Sequence, residues 1–207
     1  MLVIALTGSI GMGKTTAARR FMAQGIPVFD ADAEVHKLYA GEAAAPIEAA
    51  FPGTAAKGKV DRAALGVLLR ENPGTLARLE AIVHPLVRAR RQAFLRDHAR
   101  AEAEMVLLEI PLLFETGGEK DADVTIVVSA PAQVQHARLL AREGMSEAKL
   151  EVLLGNQMPD AEKRARADYV VDTDRPPEET AAEIDKLIES LRGREGGAFS
   201  RKQAPAR

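Results

Sequence analysis

Eight consecutive residues, Gly8-Ser9-Ile10-Gly11-Met12-Gly13-Lys14-Thr15, fit the pattern G-x-x-x-x-G-K-[ST] throughout. Its glycines let the backbone curl so that successive N–H groups converge on one centre, and a helix starting there adds partial positive charge. That is chemistry for a polyphosphate. Gly11, Met12, Gly13, Lys14, Thr15 and Thr16 are therefore expected to hold the phosphates of ATP. Lys14 would reach the β- and γ-phosphates, and the Thr15 hydroxyl would hold Mg²⁺. The plainer alternative is a glycine-rich turn ahead of a helix.

Phosphoryl transfer also needs something to handle an acceptor hydroxyl. Asp30 and Asp32 follow the second predicted strand, where a carboxylate could accept or orient the hydroxyl proton. Either could instead be a helix cap. Extended alternation puts both on one side, so spacing does not choose between them. Arg138 and Arg142 stand four apart on a predicted helix, so they would share a face and could clamp a transferring phosphoryl. A solvated helix face is the alternative. Lys163, Arg164 and Arg166 add further charge. His84 precedes Pro85 at an expected helix break, from which its ring could point into a cleft.

The elements around these residues alternate. Leu2–Leu6, Ile26–Phe29, Met105–Leu108, Val124–Val128 and Tyr169–Val171 are apolar runs that read as buried strands. Helical segments separate them, with Asn72-Pro73 and Ser129 to Pro131 as start signals and Gly25 and Gly144 as stops. Residues 41–60 read as a short helix with loops. The pattern predicts an α/β fold, a five-stranded parallel sheet with helices on both faces, whose ligands bind beyond the carboxyl ends of the strands. The glycine loop, Asp30/Asp32, Glu109 and Asp172 all fall at such ends. From Gly193 the chain is basic and lacks apolar periodicity, which predicts a disordered tail.

The 207 residues suffice for one or two domains, and the formal net charge of −2 gives no global attraction to nucleic acid or an acidic membrane. Without cysteine, disulfides and thiolate metal sites are excluded. The opening apolar run lacks a basic flank and a cleavage site, and the glycine loop interrupts it. The expectation is a soluble, unexported, cytoplasmic protein with no membrane partner and no nucleic-acid partner.

Taken together, several runs resemble the dephospho-coenzyme A kinases. They are Leu6-Thr7-Gly8 through Thr16, Asp30-Ala31-Asp32 with His36, His84-Pro85, Ile110-Pro111-Leu112-Leu113-Phe114-Glu115, the Arg138/Arg142 segment, Gln157-Met158-Pro159 with Lys163, and Ala167-Asp168-Tyr169-Val170. They cover about residues 3 to 175. The resemblance implies a P-loop kinase fold: a nucleotide-binding core (1–29, 104–131 and 167–192), a helical acceptor domain (30–103) and a lid (132–166), before the tail at 193–207. It implies transfer of the ATP γ-phosphoryl to the ribose 3′-hydroxyl of dephospho-coenzyme A, with Mg²⁺. Asp32 would be the base, with Lys14 and Arg138 or Arg142 stabilising the transferred group. Asp30, Asp32, His84 and Leu113 would meet the acceptor. Glu109 stands where the family usually has aspartate, and Ser9 where it often has glycine. The alternatives are a P-loop kinase for another small acceptor, such as a nucleoside monophosphate, and a GTP-binding module. The latter usually carries N-K-x-D, which this chain lacks.

Overall fold

Every residue of the first strand, β1 (Leu2–Thr7), is buried, as happens when both faces of a sheet are covered. The chain continues through α1 (Lys14–Ala23), β2 (Val28–Asp30), α2 (Ala31–Tyr39), α3 (Ala44–Ala50), β3 (Ala55–Ala56), β4 (Lys59–Val60), α4 (Arg62–Glu71) and α5 (Thr75–Arg100). It then forms β5 (Met105–Glu109), β6 (Val124–Ser129), α6 (Ala132–Leu140), α7 (Glu147–Gly155), α8 (Asp160–Arg166), β7 (Tyr169–Asp172), α9 (Pro177–Leu191) and α10 (Ala198–Gln203). The structure, a computed structural model, describes residues 1–72 and 74–203. It divides into two units, one of Met1–Phe29 with the chain from Asp97 onward, the other of Asp30–Arg96.

The first unit is built on a five-stranded parallel sheet in the order β2-β5-β1-β6-β7. β1 pairs in parallel with β5 on one side and β6 on the other. Alternation along β1 separates two cores. Leu2, Ile4 and Leu6 pack with Phe21 of α1 and with Ile184, Ile188 and Leu191 of α9. Ala5 packs on the opposite face with Leu113, Phe114 and Val127. Each large side chain buried this way contributes about 1.5–3 kcal/mol. Arg20 of α1 grips Asp185 of α9 with two hydrogen bonds, and Gln24 adds a third at 2.8 Å. These bonds hold the Asp185 carboxyl below its usual range and fix α1 against α9.

The second unit is helical. Leu38, Ile47, Phe51, Leu65, Leu79 and Val83 form its core. Residues 41–60, expected to be a helix with loops, also contain the antiparallel pair β3–β4. Lys57 and Gly58 both have positive φ, 51° and 73°, as the tight two-residue hairpin requires.

Several local expectations change. Asn72 ends α4 instead of capping α5, and Pro73 lies outside the described residues. Pro85 does not break the chain into two helices, because α5 runs continuously from Thr75 to Arg100. α6 ends at Leu140, before Gly144. Disorder from Gly193 does not hold for residues 193–203. The Asp123 carboxylate accepts Val3 N–H at 3.0 Å, Gly197 N–H at 2.8 Å and Ala198 N–H at 2.6 Å. Ala198 is buried, and a Cβ on Gly196 would stand 2.4 Å from Met1 O. The segment is held by polar contacts to a distant acid, which apolar periodicity does not report. Residues 204–207 lie outside the described chain.

Candidate active site in the phosphate loop

The glycine loop leaves the carboxyl end of β1 and opens α1, whose N-terminal position is taken by Gly13 with no side-chain cap. A helix N-terminus without a side-chain cap suits an anion. The glycines are required sterically as well as by torsion. Gly8 has φ 152°, and a Cβ there would lie 2.5 Å from Val128 O. Gly11 has φ 81°, and its Cβ would lie 2.9 Å from Leu139 Cγ. Ser9, in contrast, is not among the non-glycine residues of positive φ, so its side chain is compatible with the loop.

Lys14 Nζ donates to Gly8 O at 2.8 Å and to Ser9 O at 3.4 Å, curling across its own loop. Thr15 and Thr16 are exposed on the first turn of α1. The Thr15 hydroxyl donates to Glu109 Oε1 at 3.4 Å. Glu109 closes β5 and is buried, so a carboxylate does stand beside the threonine expected to meet the metal. Among the described residues, no group of three or more His, Cys, Asp or Glu could hold a metal ion. A hydroxyl and one carboxylate are nonetheless a fitting partial donor set for Mg²⁺, which keeps several waters and uses substrate phosphates.

The two arginines separate. Arg138 donates to Thr173 Oγ1 at 3.1 Å and to Thr173 O at 2.6 Å. Thr173 Oγ1 lies 3.1 Å from Met12 O, so Arg138 is anchored at the loop. Arg142 does not share its helical face: it lies beyond the end of α6 and is exposed. The remaining candidates fall elsewhere. Leu113 is fully buried in the core with Ala5, Phe114 and Val127, so its side chain does not line an open surface. Its neighbour Leu112 is 38% exposed. Asp30, Asp32 and His84 belong to the second unit. Asp30 is the N-cap of α2 and accepts Ala33 N–H at 2.9 Å. The helix starts at Ala31, so extended alternation ends there, and Asp32 sits exposed in the first helical turn. His84 is exposed on the continuous α5, without the expected break.

Lys163 does not join a cationic surface either. It is fully buried, with Nζ 2.8 Å from Glu115 Oε1, and the same oxygen accepts Met158 N–H at 2.9 Å. Burial raises the Glu115 carboxyl, but Lys163 and the Met158 amide outweigh this and hold it below the usual range. A lowered folded pKa means that the unfolded chain binds the proton more readily, so this contact stabilises the fold above the unfolded glutamate value near ~4.3. The contribution disappears as pH falls through the lower folded value. Glu115→Gln is expected to cost about 3 kcal/mol at pH 7 by leaving a buried ammonium without its counter-charge. In urea unfolding the gap to wild type should close on acidification; a gap independent of pH would refute this account.

Sequence reasoning missed Gln135 and Thr173. Gln135 donates to Ile10 O at 2.7 Å. The available signal was its spacing: positions 135, 138 and 139 share one face of α6, and all three meet the loop or its Thr173 support. A cavity of about 680 Å³ opens beside Met12, lined by residues that include Ser129, Pro131, Gln135, Asp172 and Arg175.

A parallel sheet whose central strand feeds a phosphate loop into a helix, with a lysine and a threonine–carboxylate pair at that junction, defines a P-loop nucleotide-binding protein. Comparison with known proteins narrows the class. The dephospho-CoA kinase family profile matches residues 2–178. The dephospho-CoA kinase of Mesorhizobium japonicum is 53% identical over 95% of this chain and 100% of its own length. That of Rhizobium etli is 55% identical over 94% of this chain and 96% of its own. The solved structure of dephospho-CoA kinase from Campylobacter jejuni superposes with a TM-score of 0.71 at 26% identity, covering 92% of this chain and 96% of that one. The chain belongs to the dephospho-CoA kinase family.

Proposed function

We propose that this enzyme transfers the γ-phosphoryl group of ATP to the ribose 3′-hydroxyl of dephospho-coenzyme A, releasing coenzyme A and ADP, the last step of coenzyme A synthesis. The observation that carries this reading is the family match across residues 2–178, which includes both the phosphate loop and the helical unit. The loop amides and the N-terminus of α1 hold the triphosphate. Lys14 swings from the Gly8 carbonyl to the β- and γ-phosphates. Thr15, supported by Glu109, would hold the Mg²⁺ that accompanies ATP, which neutralises charge on the transferring group. The cavity beside Met12 offers room for the nucleoside. Arg138, rather than Arg142, is the arginine assigned to the nucleotide, because Thr173 holds it at the loop. Asp32 is assigned to the acceptor hydroxyl on the strength of the family resemblance and of its place outside the cap that Asp30 makes.

Residues 30–103 are read as the acceptor domain, most of which is the compact unit Asp30–Arg96, and 132–166 as the lid. The location that goes with this reading is the cytoplasm. Among the described residues no helix is long and apolar enough to cross a membrane.

A coupled assay of ADP release tests the reaction. With Mg²⁺ and ATP, ADP should form only when dephospho-coenzyme A is added, with coenzyme A as co-product. Transfer to a nucleoside monophosphate but not to dephospho-coenzyme A would defeat the acceptor assignment. A preference for GTP without transfer would defeat the kinase reading.

A further inference from the structure

Ile10, at the crest of the phosphate loop, has both of its main-chain polar groups taken by side chains from far along the chain. Its carbonyl accepts Gln135 Nε2 at 2.7 Å. Its N–H donates to Gln157 Oε1 at 3.0 Å. Gln135 is buried, on α6. Gln157 stands between α7 and α8, where its own position is fixed on both sides: its N–H bonds Leu154 O at 3.1 Å, and the next amide, Met158 N–H, is held by Glu115. The excursion formed by residues 136–156 therefore leaves and returns at one point of the loop.

Two neighbouring contacts extend the match. Leu139 of α6 lies where a Cβ on Gly11 would collide. Arg138 reaches Thr173, which lies against Met12 O. The inward face of α6 thus meets Ile10 and Gly11 directly, and Met12 through Thr173.

We propose that Gln135 and Gln157 are positioning residues that clasp Ile10, set the curvature of the phosphate loop for the triphosphate, and, within the segment 132–166 read as the lid, confine movement to residues 136–156. Neither glutamine touches a phosphate in this account. They act by orienting the peptide groups on either side of Ile10, so that the amides after Gly11 converge. The proposal rests on the reading of this loop as the ATP site. Because the two glutamines share one target, removing either opens the clasp, and removing the second adds little.

The test uses the full chain with Gln135→Leu, Gln157→Leu and the double variant, beside Gln157→Glu and Lys14→Met. Each leucine variant is expected to weaken ATP binding about fivefold, the effect of losing one hydrogen bond. Affinity for dephospho-coenzyme A should stay within twofold and Tm within about 2 °C of wild type, and the double variant should be far from additive. Hydrogen exchange at the Ile10 amide should be slow in wild type, fast in Gln157→Leu, and slow again in Gln157→Glu, which keeps an acceptor. Unchanged ATP affinity in both leucine variants would overturn the clasp, as would a parallel loss of both substrate affinities and of Tm. Lys14→Met separates the two readings. If it weakens ATP binding while the glutamine variants do not, only the clasp fails; if it has no effect, the ATP-site reading fails and takes the clasp with it.

Discussion

Asp32→Asn is expected to lower kcat by about 10²- to 10⁴-fold, the range for loss of a positioned general acid or base, while ATP affinity stays within twofold. Asn keeps the size and a hydrogen-bonding oxygen but cannot take a proton or present a negative charge. In phosphoryl transfer much of the benefit comes from orienting the acceptor, so part of the activity should survive. The cap of α2 is made by Asp30, through Ala33 N–H, so the change at Asp32 removes no cap. Turnover measured with saturating dephospho-coenzyme A, and ATP affinity measured by calorimetry, decide the matter. A kcat within tenfold of wild type would remove Asp32 from the chemistry.

Lys14→Met should behave differently, because its ammonium serves both the bound nucleotide and the charge that shifts during transfer. Removal of one such electrostatic contact costs about 10²- to 10³-fold in kcat, and here ATP affinity should fall too. Lys14 is held by the Gly8 and Ser9 carbonyls of its own loop, so methionine keeps the aliphatic stem while forfeiting the charge. The contrast is the informative part: the Asp32 variant binds ATP and fails to transfer, whereas the Lys14 variant does both poorly. Equal ATP affinity in wild type and Lys14→Met would contradict the placement of the triphosphate.

The phosphate loop was legible because its chemistry is contiguous: eight neighbouring residues specify a torsion pattern, an anion site and a cation. The sheet was legible because Leu2–Leu6, Met105–Leu108 and Val124–Val128 are unbroken apolar runs. What escaped the sequence depends on where an element begins or ends, or on distant contacts. Asp30 and Asp32 could not be told apart until α2 was seen to start between them. Arg138 and Arg142 look equivalent in the sequence because nothing before Gly144 signals a helix end, whereas α6 stops at Leu140. The motif alone does not tell that Leu113 is buried and that the neighbouring Leu112 reaches the surface. Gln135 and Gln157 bond a residue more than a hundred positions away, and local periodicity carries no trace of such a partner. The same holds for Lys163, whose charge suggested a solvated or phosphate-facing role until its burial against Glu115 was apparent.

The strand order has a consequence for how this protein comes into being. β1 precedes every other strand of its sheet in the chain, but its two neighbours in the sheet are β5 and β6, which follow only after the entire helical unit has been made. A nascent chain therefore carries Leu2, Ile4 and Leu6 on an unpaired ribbon while some hundred further residues are added. Pairings so distant in sequence slow folding, and the helical insertion, with its own apolar core, can consolidate first. The phosphate loop, which hangs from the end of that ribbon, is consequently made well before Gln135 and Gln157, the side chains that bond its Ile10.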